Sequence, residues 1–225
     1  MNKLMKMFPP RPLELLALLT ALTLAGAAQA ETLSGAALVQ ALRQGGYVLL
    51  MRHASSSHDV PDKATANADN IKPERQLDQT GRNTAMAMGV AMKKLGVPVG
   101  DVLSSPTYRA LETIKLAGFG TAKTFEELGD GGTSMSSQAV AGWASWLKMR
   151  VSEKPRAGTN SILVTHLPNI AAAFPDEAKG LSDGEALVFL PAGTGAGLVA
   201  RVKIEEWPRL AQGAPPVPRP GGGDK

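Results

Sequence analysis

The chain has 225 residues, a formal net charge of +4, no cysteine and only 4% aromatic residues. Without cysteine there is no disulfide framework and no cysteine-linked lipid anchor, so stability rests on packing. No basic run with interleaved aromatics occurs, which argues against nucleic acid as a partner.

Lys3, Lys6 and Arg11 precede an apolar run from Leu13 to Ala28 that ends in Ala28-Gln29-Ala30. This is the order of a secretory signal peptide, with cleavage after Ala30. The run is short for a membrane span, and Glu14 interrupts it. Loss of the leader removes three cations and one anion and takes the charge from +4 to +2. The remainder, from Glu31, is long enough for one domain with a sizeable core. The expected organisation is a signal peptide at 1–30, one domain at 31–210, and a disordered Pro/Gly-rich tail at 211–225. The expected location is periplasmic or secreted, with no stable membrane association after cleavage.

Ser34 can cap a first helix whose Leu38, Val39 and Leu42 share a face, and Gly45-Gly46 ends it. Tyr47 to Met51 is then a short, continuous apolar run, the pattern of a strand buried on both faces, and it stops abruptly at Arg52 and His53. From Ser55 to Glu74 the chain is polar and lacks apolar periodicity, so it reads as a long loop, either solvated or touching a substrate.

A second helix is expected from Thr80, where Ala85, Met88, Met92 and Leu95 define one buried face, and it closes at Gly96 and Pro98. A short strand at Val102–Ser104 leads to a helix with Ser105 expected at the N-cap and Pro106 at the first helical position. Arg109 then lies in its first turn. Ala122–Phe125 is a weaker strand, followed by the Gly- and Ser-rich stretch Gly129–Ser137. A helix from about Gln138 is expected to bury Val140, Trp143, Ala144, Leu147 and Val151. Ser161–Thr165 is the second clear buried strand; it ends at His166, and Pro168 opens a helix. Leu187–Leu190 and Gly197–Ile204 are the last two strands, joined by a turn over 191–195.

Arg52 and His53 thus stand after the first strand, Arg109 after the second and His166 after the fourth. Ligands in open α/β sheets bind just beyond the carboxyl ends of the strands. If these three strands are parallel neighbours, the four side chains share one crevice with the positive ends of two helices. Singly, each reads as a surface arginine or a satisfied histidine. Together they suit a phosphoryl group, because guanidiniums bind its oxygens as a fork and stay charged.

These residues resemble the histidine phosphatase superfamily, also called phosphoglycerate mutase-like, in its first branch. Met51-Arg52-His53-Ala54 is similar to the Arg-His-Gly signature, and Arg75-Gln76-Leu77 through Gly81-Arg82 to the Arg-x-Leu-Thr-x-x-Gly segment, with Asp78 in the threonine's place. Leu103-Ser104-Ser105-Pro106 with Arg109-Ala110-Leu111-Glu112-Thr113 resembles the Ser-Ser-Pro, Arg-Ala and Thr block, and Val164-Thr165-His166 the second histidine. Gly184 to Phe189 is like the strand that often comes next.

The resemblance implies an α/β fold, a three-layer α/β/α sandwich with a mainly parallel mixed sheet. It also implies a phosphatase, metal-independent and without a cofactor, that hydrolyses a small-molecule phosphomonoester through a phosphohistidine; the leader at 1–30 makes it an expected exported enzyme. His53 is the expected nucleophile, kept neutral by the neighbouring cations. Arg52, Arg109 and His166 are expected to hold the phosphoryl oxygens. Glu127 is the expected general acid, with Glu126 and Asp130 as alternatives in the same loop.

Ala54 departs from the usual glycine and Thr165 from the usual glycine or serine, and the polar loop has no clear match to the family's asparagine contact. His58 is not expected in the pocket, and its spacing from His53 does not fit one helical face, so no metal site is expected. The alternative from another class is a phospholigand-binding protein that kept the pocket and lost the acid.

Overall fold

A computed structural model describes residues 32–57, 75–130 and 135–213. The leader, His58 with most of the polar loop, and residues 214–225 lie outside the described residues. Six strands, β1 Val48–Arg52, β2 Val99–Ser104, β3 Lys123–Thr124, β4 Asn160–Thr165, β5 Ala186–Pro191 and β6 Ala196–Val202, form one sheet in the order β3-β2-β4-β1-β5-β6. The first four are mutually parallel where they pair, while β5 and β6 run antiparallel, β5 against β1. The expected α/β sandwich with a mainly parallel mixed sheet is the observed one.

Both faces of the sheet are covered. Helices α1 (Gly35–Gln44), α2 (Gln79–Leu95), α3 (Tyr108–Ala117) and α6 (Glu206–Gly213) pack on one face, and α4 (Ser137–Ser152) and α5 (Leu167–Ala173) on the other. The pleat of β1 sends Leu49 and Met51 into the first layer and Val48 and Leu50 into the second, all fully buried. That two-sided burial is why its sequence reads as an unbroken apolar run. Each such leucine contributes about 1.5–3 kcal/mol.

Local chemistry explains three departures from the expected elements. Ser105 does not cap α3: its N–H still donates to Val164 O at 2.9 Å, so the sheet pairing runs one residue past β2 and the cap falls to Thr107. In α4 only Ala144, Leu147 and Val151 are buried; Val140 is exposed, and Trp143 lies half-buried over Gly129 instead of on the sheet. The chain past Ile204 forms α6, with Trp207 and Ala211 buried, so residues 211–213 belong to a helix and not to the tail. Pro208 hid that helix, although proline is tolerated in a first turn.

The layers are held close by small residues. A Cβ on Gly89 would sit 1.9 Å from the carbonyl oxygen of Ala117, so only glycine lets α2 cross the end of α3 there.

Candidate active site

Parallel pairing in the order β2-β4-β1 sets three carboxyl ends side by side, and backbone hydrogen bonds carry the order past the strands. His53 N–H donates to Thr165 O at 3.0 Å, and Gly184 N–H donates to His53 O at 2.9 Å. Ala54 N–H donates to Thr113 Oγ1 at 3.1 Å, and that hydroxyl donates to Arg109 O at 2.8 Å. One threonine on α3 therefore ties the residue after His53 to the turn that carries Arg109. The Ala54 methyl is fully buried in the hydrophobic core, so the replacement of glycine adds packing.

His53, Arg109 and His166 converge in direct contact, each no more than 2% exposed. Arg109 Nε lies 3.3 Å from His53 Nε2, and its Nη2 lies 3.2 Å from His166 Nδ1. The two imidazole rings meet edge to face with centroids 5.0 Å apart.

A guanidinium only donates and a carbonyl only accepts, so the partners fix both tautomers. His53 Nδ1–H donates to Ala54 O at 2.8 Å, which leaves Nε2 with a lone pair toward Arg109. His166 accepts at Nδ1, and its Nε2–H donates to Ser105 Oγ at 2.9 Å. His166 is the N-cap of α5 but makes no capping bond with its side chain, which leaves the ring to face the pocket.

Both rings are held neutral. Burial is the largest cause for His53; the charges of Arg109, Arg52 and Arg75 add to it, the bond to Ala54 O opposes it, and the pKa is pushed down to about 3. Burial likewise pushes His166 well below the ordinary range, with His53, Arg109, Arg75 and Arg52 adding to the effect. Adjacent cations alone, the reason visible in the sequence, are thus the smaller part.

Arg52 is placed differently. Its Nη2 pairs with Asp183 Oδ1 at 2.7 Å and its Nη1 donates to Leu181 O at 3.2 Å, so the group is drawn toward the 181–183 loop although its charge reaches both rings. Among the described residues of the acidic loop after β3, the carboxylate found on the site is that of Asp130, 3.0 Å from Arg109 Nη2. Glu126 is exposed, and Glu127 is linked through its backbone, its carbonyl accepting from Asn169 Nδ2 at 2.7 Å.

Sequence reasoning places Arg75 within a motif without giving it a role, yet its charge bears on both histidines. Its signal is a cation at the point where the polar loop rejoins the fold. Asp183 was missed because nothing local pairs it with Arg52, more than half the chain away. Asp78, in the threonine's place, caps α2 by accepting from Gly81 N–H at 2.7 Å and takes the Ser55 hydroxyl at 2.6 Å. Burial would raise its carboxyl, but bonds from Ser55 and the backbone of Gly81 and Thr80, with the charge of Arg82, hold it below the usual range.

Neither a family model nor a curated protein sequence matches the chain. Solved structures do. The protein histidine phosphatase SixA complexed with tungstate is 17% identical with a TM-score of 0.51, over 71% of this chain and 98% of SixA. A phosphoserine phosphatase mutant from Entamoeba histolytica in complex with phosphoserine is 17% identical with a TM-score of 0.49, over 71% and 98%. What SixA shares with this chain is the fold, an α/β arrangement with the mixed sheet between helices.

Proposed function

We propose that the protein is a phosphatase that hydrolyses a small-molecule phosphomonoester through a phosphohistidine on His53. The observation that carries this reading is the Nε2 lone pair of His53, buried, neutral and 3.3 Å from a guanidinium N–H. A neutral imidazole is a nucleophile without prior proton loss, and the donor that now faces it is suited to a phosphoryl oxygen.

Arg109, with Arg52 once a phosphoryl group draws it from Asp183, balances the charge on the equatorial oxygens, so the reaction needs positioning and fixed charge more than a metal. His166 in its resting tautomer presents a lone pair. A phosphoryl dianion beside it raises its affinity for a proton, and the ring binds an oxygen after protonation at Nδ1. A carboxyl group of the loop after β3 supplies the proton to the leaving oxygen. The basic, apolar and small-residue order of residues 1–30 supports an exported enzyme.

Acid-quench labelling with a phosphorylated aryl substrate, in excess chelator, tests the reading. An acid-labile adduct lost in His53→Asn is the expected result. Tight phosphate binding with neither adduct nor turnover would identify a binding protein instead, and activity lost only to chelator a metal enzyme.

A further inference from the structure

Among the described residues, Asp130 is the one acidic side chain of its loop found on the pocket, and it occupies the edge of Arg109 where a phosphoryl oxygen would bind: its Oδ2 lies 3.0 Å from Nη2, the same nitrogen that faces His166. Arg109 is 1% exposed and Asp130 35%, so the aspartate comes from the solvent side, the side from which a substrate enters. Two anions cannot share that guanidinium edge in a half-buried site.

From this contact, and resting on the phosphatase reading, we infer that Asp130 exchanges with the substrate on Arg109 and, once displaced, is the proton donor to the leaving oxygen. While paired with Arg109 the carboxylate is engaged by the guanidinium and not by a leaving group. When a phosphoryl group takes the guanidinium, Asp130 is released beside it on the solvent side of the pocket, the place a general acid needs.

The step balances. His53 Nε2 forms the N–P bond as the P–O bond to the leaving group breaks, and the Asp130 proton passes to that oxygen, so the alcohol departs neutral. In the second half water attacks phosphorus, its proton goes to the Asp130 carboxylate, and the N–P electron pair returns to Nε2.

A buried clamp positions this aspartate. Thr165 Oγ1 donates to Leu128 O at 2.7 Å, and Asn169 Nδ2 donates both to Glu127 O at 2.7 Å and to Thr165 Oγ1 at 3.0 Å. These bonds fix the backbone of the single 3₁₀ turn Glu126–Leu128, two residues before Asp130, to the end of β4. A glycine at position 165 has no such hydroxyl. We assign Thr165 and Asn169 as positioning residues for Asp130.

The experiment uses the full chain, with inorganic phosphate as the binding probe and two substrates, p-nitrophenyl phosphate and an alkyl phosphate. Asp130→Asn should bind phosphate about two- to fivefold more tightly, as a competing half-exposed ion pair is lost. Glu126→Gln, which removes the same charge nearby, should leave that affinity at the wild-type value. Asp130→Asn should also lower kcat on the alkyl phosphate by about 10²-fold or more and on the activated aryl ester by less than about tenfold.

Thr165→Val should reproduce the leaving-group bias in weaker form, and Thr165→Ser should restore it to normal. Unchanged phosphate affinity in Asp130→Asn, or equal tightening in Glu126→Gln, overturns the exchange. Equal losses on both substrates, or the same bias in Glu127→Gln in place of Asp130→Asn, overturn the donor role. Absence of adduct and turnover in the wild type defeats the phosphatase reading and the donor role with it, while the phosphate titration still decides the exchange.

Discussion

Arg109 Nε donates to His53 Nε2 across 3.3 Å, so the cation that would receive the phosphoryl group already orients the atom that would attack it. A lysine keeps the charge but has neither the fixed Nε donor nor a second arm for His166 and Asp130. Arg109→Lys is expected to lower kcat/KM by about 10²–10³-fold, the range for losing one preorganised donor. The far-UV spectrum should be unchanged, since the aliphatic stem still fills the site; a loss under tenfold would show that charge alone suffices.

The depressed histidine pKa values make stability pH-dependent. In the unfolded chain an imidazole takes up its proton near pH 6.5, whereas folded His53 resists protonation down to about 3 and His166 is shifted in the same direction. Between those values the unfolded state holds more protons, so stability present above about pH 6.5 is lost as the pH falls. The slope is about 1.4 kcal/mol per pH unit for each histidine. Urea midpoints recorded from pH 7.5 to 4.5 should fall accordingly, and His53→Asn should remove about half of the slope. A slope untouched by that substitution would place the effect on carboxylates instead.

How much of this was legible in the chain depends on which forces leave a local trace. Strands β1 and β4 were plain because burial on both faces demands unbroken apolar runs, and each ends at a histidine whatever its neighbours do. Arg109, His53 and His166 could be brought together on paper because parallel order turns three strand ends into one place. Contacts set by side-chain reach left no such trace. Nothing near Asp130 in the sequence distinguishes it from Glu127, and only the turn at 126–128, fixed by Thr165 and Asn169 from other elements, decides which carboxylate arrives. Arg52 and Asp183 meet because β5 runs antiparallel beside β1, a pairing that no periodicity announces. Helix α6 was obscured by Pro208, and its burial of Trp207 depends wholly on tertiary packing.

Two glycines should respond in opposite ways to alanine. At Gly89 the new methyl would meet the Ala117 carbonyl oxygen at 1.9 Å, and that oxygen is backbone, so α2 and α3 must separate. Gly89→Ala is expected to destabilise by about 1–3 kcal/mol. Gly142, inside α4, is exposed with nothing within 4 Å of where a methyl would sit, and Gly142→Ala should stabilise by about 0.5–1 kcal/mol through helix propensity. Thermal melts of the two variants should move in opposite directions; a shift of the same sign would mean that α2 can slide on α3.

The seat of Arg52 depends on a carboxylate outside its own ion pair. Glu185 is buried, its Oε2 accepts from Ser182 N–H at 2.9 Å, and its Oε1 takes Arg201 Nε at 2.7 Å, which together shape the loop whose Leu181 and Asp183 hold the Arg52 guanidinium. Arg201→Met removes the cation and leaves a buried acceptor less satisfied, at an expected cost of about 1–3 kcal/mol. The same change loosens Asp183, so Arg52 should swing into the pocket more readily and KM for an aryl phosphate should fall while kcat stays within about twofold, the pattern of altered ground-state binding. Glu185→Gln keeps one acceptor oxygen but turns an NH2 donor toward either Ser182 N–H or Arg201 Nε–H, so it should destabilise as well, by about 1–3 kcal/mol. Urea denaturation and initial rates on the same preparations read both effects, and a fall in kcat with KM unchanged would place the loop in the chemistry instead of in the seating of Arg52.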